Sequence, residues 1–133
     1  MMAKMFDFTN KIAGGNADVD PVQAEEVTFS LISAMSKRLN MPFDKDQTLV
    51  EGLLNHMIPL IQRINNHVNI RDNMVSLLRP QDRQIYNLMA QVCSEIDILK
   101  EINNEDELVY LTVCFMASLK RMKSVPYKRV LLV

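Results

Sequence analysis

Apolar residues return at Val50, Leu53, Leu54, Met57, Ile61 and Ile64, the three-and-four spacing that lays a stripe along one face of an α-helix. Asp44-Lys45-Asp46-Gln47 supplies a cap pattern ahead of it, so the spacing predicts a helix from there to about Asn66. Four further helices follow from the same reading. The first opens at Asp20-Pro21-Val22-Gln23, with an acceptor for free N–H groups, a proline suited to the first helical position and Gln23 to close a capping box. Thr28, Leu31, Ile32, Met35 and Leu39 share its inner face, and Pro42 ends it near Leu39. A short third helix is expected over Asn73 to Leu78, before Pro80. The fourth runs from Gln81, carries Ile85, Leu88, Met89, Val92, Ile96 and Leu99 on one face, and breaks at Asn103-Asn104.

The fifth begins with a cap and an acidic turn at Asn104-Glu105-Asp106-Glu107 and finishes on Lys120, Arg121 and Lys123. Both ends suit the helix macrodipole. Leu108 to Leu119 is apolar on nearly every side, which makes this the helix expected to be most buried. The predicted fold is all-α: a compact antiparallel five-helix bundle over residues 20–124. Residues 1–19 are expected as a flexible leader and 125–133 as an extended tail.

Composition narrows the function. The chain has 133 residues, 48% hydrophobic and 23% charged, enough for one domain with its own core. Ten methionines and no tryptophan favour an adaptable core or contact surface. A net charge of −1 and a pI near 6.1 give no electrostatic case for direct nucleic-acid binding. Cys93 and Cys114 lack metal-ligand spacing and lie within helical patterns, so a reducing cytoplasm is the expected location. No apolar run of about 18 residues predicts a membrane span, and the N-terminus lacks a secretion signal.

Chemistry concentrates on the second helix. His56, Leu60, Arg63 and His67 fall along one edge of its stripe, with Pro59 and a predicted kink beside His56. A neutral imidazole can accept a phosphoryl group, exchange protons or bind a metal. An isolated histidine is more often structural. Arg63 lies about 10 Å along the axis, close enough to lean back and bind a phosphate or to fix the helix to a neighbour. His67 lies roughly 16 Å from His56 along a straight helix, too far to share an ion, so no metal or other cofactor is expected. Cys114 reads as an inert packing thiol. The acidic turn at 105–107 reads as a cap, with a docking surface for a basic partner as its alternative. Lys120, Arg121, Lys123, Lys128 and Arg129 read as a solvated face. No base–nucleophile pair stands out, so an enzyme is not expected.

Leu53-Leu54-Asn55-His56-Met57-Ile58-Pro59-Leu60-Ile61-Gln62-Arg63-Ile64, then Ile70-Arg71-Asp72-Asn73-Met74, then Glu105 through Phe115 with its Tyr110-Leu111 step, resembles the phosphotransferase-system regulation domain, or PRD. The resemblance covers roughly residues 22–122. It implies a five-helix domain, usually a homodimer, phosphorylated on histidine by the phosphocarrier HPr or an enzyme II component and coupled to a transcription regulator. His56 matches the family's first phosphoacceptor histidine, Arg63 its accompanying arginine and Asn73 its loop asparagine, the latter two as phosphate or structural support. Cys114 stands where the family often has a second histidine, so that site reads as degenerate. Asn55 stands where antiterminators commonly carry aspartate. The alternative implied is a degenerate, single-copy PRD that only dimerises or binds a partner as a scaffold.

Overall fold

The computed structural model describes residues 19–68 and 78–123. Four α-helices run through them: α1 (Pro21–Leu39), α2 (Gln47–Asn65), α3 (Arg83–Ser94) and α4 (Glu105–Lys123). Single 3₁₀ turns stand at Phe43–Lys45, Pro80–Asp82 and Leu99–Glu101. The described residues are all-helical, as expected, with four α-helices where five were predicted. Residues 73–77 of the predicted third helix lie outside the described residues. So do all of the predicted leader but Val19, which is buried, and the whole of the tail.

The helix starts follow the chemistry of their caps. Asp20 Oδ1 accepts the Val22 N–H at 3.0 Å with Pro21 in the first turn, and Asp46 Oδ1 accepts the Leu49 N–H at 3.4 Å. Asn104 Oδ1 takes the Asp106 N–H at 3.0 Å. α1 ends on Asn40 in the left-handed region, φ 53°, a conformation that asparagine tolerates better than most residues.

Two expectations are corrected. The helix predicted from Gln81 to the Asn103-Asn104 break stops at Ser94. There the Ser94 hydroxyl donates back to the Gln91 carbonyl, and the Glu95 and Ile96 N–H groups bond three residues back, to Val92 and Cys93. That tightening closes a helix. Leu99 still reaches the core from the following 3₁₀ turn, which is why its spacing imitates a continuous helix. The most buried helix is α2 rather than α4: Leu49, Val50, Leu53, Leu54, Met57, Ile58, Leu60 and Ile61 are all buried. The apolar run of α4 divides between an inner face at Val109, Leu111 and Phe115 and an outer one where Val113 is exposed.

α1 packs along α2, α3 on α4, and α2 on α4. Two polar clasps fix the α2–α4 pair as antiparallel. At one end Asp46 Oδ2 accepts from the Ser118 hydroxyl at 2.6 Å and from Arg121 Nη2 at 2.8 Å. At the other, near the C-terminus of α2, Arg63 holds Glu107 in the first turn of α4. Asp46 thus serves as helix cap and interhelical acceptor at once. Asp46→Ala is expected to cost about 2 kcal/mol, the upper end for a lost cap, measurable by urea denaturation. An unchanged midpoint would show that neither role contributes.

Candidate functional site

Residues seven apart on a helix are two turns apart and nearly in line. α2 therefore presents His56 and Arg63 along one edge, and runs as one helix through Pro59. It ends before His67, which cannot extend that edge as expected. The Val68 N–H bonds to the Arg63 carbonyl and the His67 N–H to the Ile64 carbonyl, with His67 itself at φ 56°. This is a Schellman closure with histidine in the place usually taken by glycine, and it turns His67 out to solvent.

α4 supplies the other wall. Glu107, Tyr110 and Cys114 recur at three- and four-residue spacing, so they share a face. Tyr110 stacks on the His56 ring with centroids 3.9 Å apart and planes inclined by 19°. Glu107, with its side chain only 4% exposed, receives both prongs of the Arg63 guanidinium: Nε to Oε2, and Nη2 to Oε1 at 3.0 Å. His56 Nε2 lies 3.5 Å from Arg63 Nη2 and 3.5 Å from Glu107 Oε1. The imidazole is 15% exposed. It is partly covered, not sealed.

Electrostatics match this geometry. Burial by itself raises the pKa of the Glu107 carboxyl, but hydrogen bonds and charge from His56 and Arg63 outweigh it and hold Glu107 below its ordinary range. Glu107 is therefore an anion at neutral pH, and the site pairs it with Arg63 beside a titratable ring. Burial pushes the Cys114 thiol up to about 11, against a smaller pull from the hydrogen-bonded Tyr110 hydroxyl. Such a thiol is protonated and a poor nucleophile. Cys93, more deeply buried, is pushed up to about 12. A small cavity of about 90 Å³ opens beside the ion pair, lined by Arg63, His67, Asn103, Asn104 and Glu107 among others.

Of the residues singled out from sequence, the structure brings His56 and Arg63 together and sets Cys114 one step away behind Tyr110. Asn73 lies outside the described residues. Among the described residues no group of three His, Cys, Asp or Glu side chains could hold a metal ion, and no helix is long and apolar enough to cross a membrane. Sequence reasoning missed Glu107, which it read as part of an acidic cap, with a docking surface for a basic partner as the alternative. Its face was the available signal: an acid in line with Tyr110, Leu111 and Cys114 points inward, where a solvated cap residue does not.

Comparison with known proteins places this arrangement. The PRD domain family model matches residues 29–118. The Bacillus subtilis transcriptional regulator ManR is 30% identical over 131 aligned residues, covering 86% of this chain and 19% of ManR. The licABCH operon regulator of the same organism is 27% identical over 115, covering 84% of this chain and 18% of that protein. The chain thus spans about a fifth of the length of the curated relatives it matches. No solved structure gives a significant match. With a family model over most of its length and a relative at 30% identity, the chain belongs to the PRD domain family.

Proposed function

We propose that this domain is a regulatory module of the sugar phosphotransferase system that receives a phosphoryl group on His56. It answers through dimer or partner contacts that act on a transcription regulator, in the same chain or in another. The observation that carries the reading is the setting of His56: a partly exposed imidazole whose Nε2 lies 3.5 Å from the Arg63 guanidinium. A phosphoryl group adds about 1.5 to 2 negative charges, and an arginine at that distance is suited to receive them. Both relatives are named as regulators, which supports a regulatory rather than a catalytic output. HPr or an enzyme II component would be the donor.

Incubation with phosphoenolpyruvate carrying labelled phosphate, enzyme I and HPr, with and without an enzyme II component, is expected to label the wild-type chain. His56→Ala should stay unlabelled while retaining its helical circular dichroism. If the wild type takes no more label than His56→Ala under either condition, the phosphoacceptor role fails. A second reading, a PRD acting only as an interaction scaffold, draws on the protonated, partly buried thiol at Cys114 where the family often has a histidine. It predicts that His56→Ala lowers stability while leaving partner binding intact.

A further inference from the structure

The His56 site holds an anion before any phosphate arrives. Glu107 is buried, paired through both prongs with Arg63, and places Oε1 3.5 Å from His56 Nε2. Arg63 Nη2 stands at the same distance from that nitrogen in hydrogen-bonding geometry. Nε2 faces both groups: carrying the ring proton it donates toward Glu107 Oε1, and with the proton on Nδ1, the tautomer that phosphoryl transfer uses, it turns its lone pair to Arg63. The nucleophilic nitrogen therefore points at the ion pair. A tetrahedral phosphoryl group built on Nε2 needs the same space and the same guanidinium as the Glu107 carboxylate.

We propose that Glu107 occupies the phosphoryl seat, and that phosphorylation of His56 at Nε2 expels Glu107 and transfers Arg63 from carboxylate to phosphate. The proposal rests on the phosphoacceptor reading of His56 and says how that site is guarded and read out. In the transfer, the donor's P–N bond breaks with its electron pair remaining on the donor imidazole. The Nε2 lone pair forms the new P–N bond, and the proton on Nδ1 stays in place. No further reactant is needed. The phosphoryl group carries more charge than the carboxylate and offers three acceptor oxygens, so it competes well for a guanidinium fork. Glu107 and the new dianion repel each other at this range. The polar cavity lined by His67, Asn103 and Asn104 borders Glu107 and gives the displaced carboxylate somewhere to go. The clasp between the C-terminus of α2 and the N-terminus of α4 opens as a result, so the covalent signal becomes a loosening of the first turn of α4.

The test compares wild type and Glu107→Gln as full chains, with the phosphoenolpyruvate, enzyme I and HPr donor chain. Removing the competing charge is expected to speed labelling of His56 about tenfold, and His56→Ala/Glu107→Gln should take no label. Labelling of Glu107→Gln at the wild-type rate or slower would overturn the guard role while leaving His56 an acceptor. Absence of label on both chains would remove the underlying reading together with the proposal. Should Glu107→Gln fold poorly, hydrogen exchange of the phosphorylated wild type decides. Amides 106–109 are expected to exchange faster than in the unphosphorylated chain, and unchanged protection there would equally overturn the exchange of partners.

Discussion

Truncating Phe43 to alanine is expected to lower the unfolding free energy by about 3–5 kcal/mol, the range for deleting a buried aromatic ring. Phe43 belongs to a three-residue 3₁₀ turn between α1 and α2, yet it is fully buried. Its ring meets Phe115 of α4 edge to face, with centroids 4.9 Å apart and planes at 89°. This pair pins the α1–α2 connection to the inner face of α4, and truncation adds the cost of the cavity left behind to the lost burial of the ring. Domains of this size are stable by about 5–15 kcal/mol, so the substitution removes a large share. Urea denaturation should show a lower midpoint at an unchanged slope. Phe43→Leu, which keeps most of the volume, should be markedly milder. Equal losses for the two variants would mean that the ring packing contributes little.

The second large effect is expected from Arg63→Ala. It leaves Glu107, its side chain 4% exposed, without the guanidinium fork that holds both its oxygens, and with the His56 ring nitrogen at 3.5 Å still beside it. Breaking a buried pair by removing one partner typically costs about 3–5 kcal/mol. The lower end applies because Arg63 itself is one-fifth exposed. The pH dependence has a definite sign. In the wild type the Glu107 pKa is lowered from 4.5, so the stability contributed by its ionised form is present above that value and lost as pH falls through the lower folded value. In Arg63→Ala burial is no longer opposed by the guanidinium, and protonation of Glu107 relieves the penalty. The deficit of the variant relative to wild type should therefore be largest near pH 7 and shrink at and below about pH 4.5. Urea titrations of both proteins at pH 7 and pH 4 check this, and a deficit of the same size at both would rule out the lost Arg63–Glu107 pair as its cause.

How far the sequence discloses this protein differs from segment to segment, for physical reasons. The apolar stripe of α2 and the caps at Asp20, Asp46 and Asn104 are local signals, and the helices form where those signals place them. The stop of α3 at Ser94 is concealed because Ile96 and Leu99 continue the helical phase while the backbone leaves it. Phe43 lies in a connection that periodicity cannot evaluate, and its burial depends on Phe115, far along the chain. At the site, His56 and Arg63 are visible because one helix carries both. Glu107 is not, because its partner is 44 residues away and an acid in a first helical turn already has a sufficient local explanation.

The stacking of Tyr110 on His56 has an optical consequence. The chain has no tryptophan and three tyrosines, so its ultraviolet emission comes from tyrosine alone. One of these three fluorophores lies in van der Waals contact with the His56 ring. A change in the charge of that ring alters the quenching of its neighbour, which gives the domain an intrinsic spectroscopic label at the residue that would receive the signal.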